Sequence, residues 1–457
     1  MSKPLCFVIM PFGTKVDTAG MSIQFDRIYR EIVEPAITAA GMLPLRPDEE
    51  MAGGVIQKPS FERLMLCDYA IADLTGADAS VYYELGIRHA IRPATTVLMQ
   101  VENCRLPFDV APLRPVFYKV EPAGGPEDVL RTIGALLRRL RVGSQPEWDS
   151  PLFQLVQWMQ PASLPREQVD LFHDLAQHAA DVRARLSGAR QAGVEAVREV
   201  ERELGDIAEA DAAIVIDLFL SYRAVSGYSE MIELVSKMSR LLAETILVQE
   251  QLGLALNRVR KRDEAANVLL ALIRRRGPSS ETYGILGRVY KDQWTDALKS
   301  DDTFLARGHL DKAIDAYMRG FEIDPRDAYP GINAATLCAL RDPPDPRGKQ
   351  ILPVVRFALR RRMSVGRPDY WDHATLLELA VLDSDLSAAN TALDSALAVV
   401  REPWQAETTA NNIRMIRNAR ERSGQDQQWI LALESALTRG GSPDESRFGL
   451  APFAALL

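Results

Sequence analysis

The chain has 457 residues, of which 47% are hydrophobic, 25% charged and 7% aromatic, and its formal net charge is −8. This length predicts two to four domains with packed cores and excludes a disordered or fibrous chain. Neither residues 1–142 nor the remainder has the basic excess that nucleic-acid binding needs. Four cysteines without paired spacing, and no uncharged apolar stretch of about 18 residues, favour a reduced, cytoplasmic protein without a membrane span.

The first 142 residues alternate short apolar runs with helical patterns. We predict strands at 5–10, 42–45, 69–74, 95–100 and 116–120, and helices at 23–40, 61–67, 81–91 and 126–140. Apolar strands that alternate with helices predict a doubly wound, flavodoxin-like α/β domain. Ligands of such domains bind beyond the carboxyl ends of the strands, here at 11–15, 73–80 and 100–103.

A Pro-rich linker at 143–168 follows this domain. Its large aromatic residues, Trp148, Phe153 and Trp158, predict that the linker docks on neighbouring structure. From residue 169 to residue 457 the pattern is helical almost throughout, so the chain combines an α/β domain with an all-α region.

The helical region contains a repeat, clearest at 245–342. Leu252-Gly253 recurs 34 residues later as Leu286-Gly287, which is the period of tetratricopeptide helix pairs. Ala265 and Ala313 supply the small residue at which paired helices touch. We predict a stacked solenoid with a partner-binding surface. Five aromatic residues are predicted to be repeat core: Tyr290, Trp294, Tyr317, Phe321 and Tyr329.

Carboxylates are concentrated between residues 67 and 86. Asp73 ends a predicted strand, Asp78 or Ser80 can cap the next helix, and Glu84 lies in the early turns of that helix. The helix dipole favours an ionised carboxylate there, which suits a nucleophile or a stabiliser of positive charge, as in retaining glycosidases. Ordinary helix capping is the alternative.

Two segments carry a family resemblance. Tyr83-Glu84-Leu85-Gly86 and the opening run Cys6–Gly13 resemble the nucleoside 2-deoxyribosyltransferases and 2'-deoxynucleoside 5'-phosphate N-hydrolases, a superfamily close in fold to TIR domains. The resemblance implies that Glu84 acts at C1' and that Asp78 contacts the sugar. The acid that assists the leaving base falls near Ser60, so either Glu62 or Asp68 replaces it or the activity is lost.

The predicted site follows from these residues. Lys15 and Arg88 are candidates for neutralising a 5'-phosphate, whereas Arg92 is interpreted as solvated. The catalytic candidates are Glu84, Asp78, Asp73 and Glu62, and the substrate-binding candidates are Pro11, Phe12, Gly13, Lys15, Ser60, Tyr83 and Arg88. The five histidines are too dispersed for a metal site by local spacing, and no cofactor is expected.

The helical region has a resemblance of its own. Segments 287–292, 313–322 and 329–337 look like the central regulatory region of the apoptosis signal-regulating kinases, a TRAF-binding, DUF4071-type region of MAP kinase kinase kinases. In those kinases, tetratricopeptide-like repeats follow a divergent α/β domain. No kinase domain is recognisable in this sequence, so the resemblance implies a scaffold-plus-sensor module rather than a phosphotransferase.

Three hypotheses remain open from the sequence. The first is a regulated N-glycosidase-like effector that cleaves the base–sugar bond of a nucleotide or nucleoside. The second changes the substrate to NAD, as a TIR-like fold allows. The third is a non-enzymatic signalling scaffold with a degenerate nucleotide-binding domain. All three expect a protein partner on the repeat surface, no nucleic acid and no membrane, and leave homo-oligomerisation open.

Overall fold

The computed structural model describes residues 3–16, 22–46, 57–102, 115–120, 125–142, 149–156, 158–161, 164–365, 368–401, 403–422, 424–425 and 427–440. It divides into two compact units, residues 1–248 and 249–457. The domain limits expected at residues 142 and 168 stay a prediction. None of the described helices is long and apolar enough to cross a membrane.

The first unit contains a five-stranded, all-parallel sheet. Its strands are β1 (Leu5–Ile9), β4 (Leu43–Leu45), β5 (Tyr69–Asp73), β6 (Thr96–Val101) and β7 (Val116–Tyr118), in the order β4-β1-β5-β6-β7. All five lie where the sequence predicted strands. A separate antiparallel hairpin, β2 (Thr14–Val16) with β3 (Ser22–Gln24), was not predicted, because its strands are short and largely polar.

Helices lie between the strands of this unit in the chain and follow the last strand. The helices that lie wholly in this unit are α1 (Phe25–Ile28), α2 (Glu34–Ala39), α3 (Gln57–Leu66), α4 (Ala79–Ile91), α5 (Pro126–Val142), α6 (Pro151–Leu155), α7 (Arg166–Ala192), α8 (Val194–Leu204), α9 (Ala212–Ala224), α10 (Tyr228–Lys237) and α11 (Arg240–Ala243). A π-helical segment, Tyr29–Val33, joins α1 to α2.

The sheet is covered on both faces. Cys6 and Val8 of β1 belong to one core with residues of α1, α2 and α5, whereas Leu5, Phe7 and Ile9 belong to another core with residues of α3 and α4. Successive side chains of a strand point to opposite faces, so every residue of β1 is buried. This arrangement explains why the strands have continuous apolar sequences instead of alternating ones.

Two large aromatic residues of the predicted linker differ in exposure. Phe153 of α6 is buried, whereas Trp158 is 83% exposed. Docking of the linker as a whole stays a prediction. Trp148 lies outside the described residues.

The second unit is built of helices. They are α13 (Arg262–Arg276), α14 (Ser280–Lys299), α15 (Thr303–Ile323), α16 (Ala328–Leu340), α17 (Pro346–Val365), α18 (Tyr370–Asp383), α19 (Leu386–Val399), α20 (Pro403–Arg422) and α21 (Gln428–Gly440), and the division between the units falls within α12 (Ile246–Arg258). In the second unit, α14, α16, α18 and α20 pack on one another in that order, and α15, α17 and α19 pack against them.

Glycines at the predicted repeat positions allow paired helices to approach closely. A Cβ atom at Gly253 would lie 2.8 Å from Leu269, and one at Gly287 would lie 2.7 Å from the ring of Tyr317. Ala265 and Ala313 are fully buried between such helices. The 34-residue offset therefore marks two equivalent helix contacts, as the repeat pattern predicted.

Candidate functional site

Asp73 lies at the carboxyl end of β5 and is buried. Its carboxylate accepts hydrogen bonds from the backbone N–H of Thr75 at 3.0 Å, the Thr75 hydroxyl at 2.6 Å and the Tyr118 hydroxyl at 2.7 Å. Burial raises the pKa of Asp73 to about 6, although these hydrogen bonds counteract part of the rise. Because its acceptor sites are directed at fixed internal donors, Asp73 holds the strand ends together.

Asp78 caps helix α4, as the sequence predicted. Its Oδ1 accepts hydrogen bonds from the backbone N–H and the hydroxyl of Ser80, at 3.0 and 2.6 Å. Its Oδ2 lies 3.5 Å from Nζ of Lys15, so the structure brings together two predicted site residues that are 63 positions apart. The Ser80 hydrogen bonds, helped by Lys15, lower the pKa of Asp78.

Glu84 lies in the second turn of α4 and is half-buried. Burial and the nearby charge of Asp78 raise its pKa from 4.5 to about 7. The sequence predicted a carboxylate held ionised by the helix dipole, whereas burial and the like charge of Asp78 act in the opposite direction. A raised pKa favours the protonated carboxyl, which is a poorer nucleophile than the carboxylate.

The turn after β1 is occupied by internal partners. The backbone N–H of Gly13 donates to Asp26 Oδ1 at 3.1 Å, so it is not free to bind a phosphate. Arg46 donates to the same carboxylate at 2.6 Å and to the carbonyl oxygen of Pro11 at 3.5 Å. The Arg46 guanidinium also lies 5.1 Å from the ring centre of Phe12.

Arg88 is the clearest departure from the predicted site. Its side chain is fully buried and donates to the backbone carbonyl oxygens of Leu64, Cys67 and Asp68 at 2.8, 2.8 and 3.2 Å. Asp68 precedes β5 and accepts from the N–H of Leu5 at 2.8 Å, which places this cluster at the amino edge of the parallel sheet. Glu84 lies one helical turn before Arg88 on α4, but the Arg88 guanidinium is directed at this amino edge, where its partners occupy it.

The remaining predicted residues lie on α3 and α4. Tyr83 is 65% exposed, and its ring meets that of Phe61 edge to face at 6.5 Å. Glu62 follows Phe61 on α3, and Ser60 belongs to the same helix. Arg92, interpreted from sequence as solvated, donates to the carbonyl oxygens of Met65 and Leu66 at 2.8 and 3.2 Å.

A second candidate site is a cavity of about 400 Å³ in the helical unit. It is lined by residues of α12, α14, α16, α17, α18 and α20, and its chemistry is mixed. The basic residues are Arg258, Arg288, Lys291 and Arg362; the acidic ones are Asp372 and Glu378; the aromatic ones are Tyr329, Trp371 and Trp404.

A buried polar network forms one wall of this cavity. Lys291 Nζ donates to Asn412 Oδ1 at 3.2 Å and to Asn333 Oδ1 at 3.4 Å. Asn412 in turn donates to Glu378 at 3.3 Å, and Thr336 donates to the other Glu378 oxygen. Burial lowers the pKa of Lys291 to about 8, with a further contribution from Arg288. The network joins α14, α16, α18 and α20.

Sequence reasoning missed this cavity. Tyr329 was predicted as repeat core, but it is 48% exposed and lines the cavity. Lys291 follows Gly287 by four positions and precedes Trp294 by three, so it falls on the buried stripe of α14. A lysine on an apolar stripe is the pattern that would have revealed the site.

Within the described ranges, no group of three or more His, Cys, Asp or Glu residues is arranged to hold a metal ion. Cys6, Cys67 and Cys338 are buried free thiols, and Cys104 lies outside the described residues.

Most of the chain is similar in sequence to known proteins. Residues 81–431 match the family model described as the MAP3K TRAFs-binding domain. Mitogen-activated protein kinase kinase kinase nsy-1 of Caenorhabditis elegans is 31% identical over 44% of this chain and 14% of its own length. Mitogen-activated protein kinase kinase kinase 15 of Mus musculus is 24% identical over 76% of this chain and 28% of its own length. The chain thus spans less than a third of the length of each of these relatives.

Tetratricopeptide repeat proteins are among the similar solved structures. A thermophilic repeat protein of Thermus thermophilus has a TM-score of 0.33 and 16% identity over 44% of this chain and 98% of its own. A tetratricopeptide repeat protein of Parabacteroides merdae has a TM-score of 0.33 and 11% identity. The match covers 58% of this chain and 98% of that protein's chain. These scores are low, and we draw no conclusion from them.

The relatives contradict the first hypothesis. They are MAP kinase kinase kinases, not nucleoside-cleaving enzymes, so the prediction of an N-glycosidase is wrong. No comparison supports the deoxyribosyltransferase or TIR resemblance, or a nucleotide ligand. The resemblance of the helical region to the MAP3K TRAF-binding region is confirmed, since the family model covers most of the chain. The chain belongs to the MAP3K TRAFs-binding domain family.

Proposed function

We propose that the chain is a non-enzymatic signalling module whose helical unit binds a protein partner. The observation that carries this proposal is the family match at 81–431, which reaches from α4 into α21. The family description names TRAFs as partners, so a protein of that class is the first candidate. The packed layer α14-α16-α18-α20, with a cavity opening in it, offers a surface for such a partner.

The α/β part has a supporting role in this proposal. Without the β2–β3 hairpin, its strand order corresponds to 2-1-3-4-5, which supports a flavodoxin-like assignment. The neighbourhood of Glu84 supports structure better than turnover, because Gly13 N–H, Asp73 and Asp78 already have internal partners.

Cross-linking of the purified full chain to a candidate partner, followed by mass spectrometry, tests the location of binding. We expect a saturable complex whose cross-links fall within residues 249–457. Cross-links confined to residues 1–142 would contradict the assignment to the helical unit. Release of base from nucleotides, deoxynucleotides or NAD by the same preparation would contradict a non-enzymatic role.

A further inference from the structure

The cavity in the helical unit contains basic side chains that differ in how their charge is compensated. Arg288 Nε lies 3.1 Å from Asp292, and Arg362 Nε lies 2.9 Å from Asp372. Among the described residues, Lys291 and Arg258 have no carboxylate within ion-pair distance. The cavity therefore presents two cations that an anionic ligand can still neutralise.

Lys291 is the unusual one of the two. Its side chain is only 8% exposed, and a buried ammonium is strongly disfavoured unless it is well compensated. An ammonium has three N–H donors, and two are directed at the amide oxygens of Asn333 and Asn412. Glu378 reaches it by hydrogen bonds only through Asn412, and the charges of Glu378 and Asp292 act on it from beyond ion-pair distance. An anion in the cavity would complete the environment of Lys291.

Two indole rings at the rim add an apolar surface. Trp371 and Trp404 are 39% and 55% exposed, with ring centres 5.6 Å apart and an interplanar angle of 42°. Trp371 packs edge to face on the buried ring of Tyr370, whose hydroxyl is 2.8 Å from that of Thr409. This support fixes the position of Trp371. Fixed, exposed tryptophans are typical anchors of protein interfaces.

We propose that this cavity binds an acidic peptide segment of the partner, with one carboxylate beside Lys291 and Arg258 and a neighbouring aromatic or aliphatic side chain against Trp371 and Trp404. The inference rests on the proposed function, since it specifies which chemistry of the partner is recognised. Charge complementarity favours a carboxylate over a phosphate, because Asp372 and Glu378 also line the cavity and would repel a dianion.

Selection from a displayed library of random linear peptides on the immobilised full chain tests the proposal. We expect enrichment of sequences with Asp or Glu next to an aromatic or aliphatic residue. In fluorescence anisotropy with the selected peptides, Lys291→Met should weaken binding by about tenfold or more, because the peptide carboxylate loses a charge-assisted hydrogen bond. Arg258→Met and Trp404→Ala, both at exposed positions, should weaken it severalfold.

Lys299→Met is the matched control, because Lys299 is an exposed lysine at the end of the same helix and should leave binding unchanged. Arg258→Met keeps the test decisive if Lys291→Met does not fold. Replacing the peptide carboxylate by the amide should abolish binding. The inference is overturned if no selected peptide depends on Lys291 or Arg258, or if phosphoserine binds better than the carboxylate. Cross-links to residues 249–457 that persist in that case would leave the proposed function standing.

Discussion

The guanidinium of Arg88 donates a 2.8 Å hydrogen bond to the backbone carbonyl oxygen of Cys67, in the turn between α3 and β5. The same side chain bonds the carbonyl oxygens of Leu64 and Asp68. One residue of α4 thus donates to three carbonyl groups, and that of Asp68 also accepts from the Thr95 hydroxyl. Arg88, which the sequence suggested as a ligand for a phosphate, therefore stabilises the α3–β5 turn at the amino edge of the sheet.

Arg88→Met should therefore destabilise the α/β domain strongly. The variant removes the Arg88 donor from the buried carbonyl groups of Leu64 and Cys67 and leaves that of Asp68 with only the Thr95 hydroxyl, so we expect a loss of about 3 kcal/mol or more in the free energy of unfolding. Chemical denaturation followed by circular dichroism measures it. Arg131→Met is the control, since Arg131 is 66% exposed and, among the described residues, its ion pair is with Asp128 at the surface, where such a pair contributes little to stability. If both variants lost the same free energy of unfolding, a stabilising role of the Arg88 hydrogen bonds would be refuted.

Gly287→Ala should destabilise the helical unit. The new Cβ would lie 2.7 Å from the Tyr317 ring, which is fully buried, so we expect a cost of about 1–3 kcal/mol. Gly308→Ala is the matched control, because nothing lies within 4 Å of its Cβ position on α15. There, alanine should be neutral or stabilise by up to about 1 kcal/mol. Thermal unfolding of both variants measures the difference, and a stabilised Gly287→Ala would contradict the close approach.

Glu84 should make stability depend on pH. Its folded pKa of about 7 lies above its ordinary 4.5, so the native state holds more protons than the unfolded state between these values, and stability falls as pH rises through them. Glu84→Gln should remove this slope and stabilise the protein at pH 8 by about 1–2 kcal/mol, allowing for partial solvent screening. Asp78→Asn should move the slope to lower pH. Chemical denaturation at several pH values tests both variants. If the free energy of unfolding changed with pH in the same way in wild type and Glu84→Gln, the prediction would be wrong.

Lys291 should give the opposite dependence. Its pKa is lowered from 10.5 to about 8, so the unfolded state binds more protons between these values and stability rises with pH across that window. Relative to Lys291→Met, the wild-type protein should gain up to about 3 kcal/mol between pH 8 and 10.5. The charged groups around it are Arg288, Asp292 and Glu378, and their influence is included in the shift. A difference between the two proteins that does not change with pH would contradict a buried, charged Lys291.

The sheet could be predicted from sequence because its physical cause is local. Residues 5–9 must be apolar throughout, since the strand is covered on both faces, and such a run is visible without a structure. The helix contacts at Gly253 and Gly287 were equally visible, because close approach requires a small residue at a fixed interval.

The chemistry of the sites could not be predicted in the same way. Whether a charged residue is solvated or buried depends on partners far away in sequence, such as the carbonyl groups that Arg88 reaches. Glu84 shows the same limit, because its pKa depends on how much of α4 is covered and on the orientation of Asp78. The polar network at Lys291 brings together side chains that are up to 121 positions apart.

The hydrogen-bonded chain from Thr336 through Glu378 and Asn412 to Lys291 has a consequence for unfolding. In repeat arrays each element usually contacts only its neighbours, so the ends can fray while the centre persists. Here α20 is tied directly to α14 through polar groups that are buried and costly to separate. Loss of the last helices would strip Lys291 of its Asn412 partner, so the segment from α14 to α20 should melt as one cooperative block.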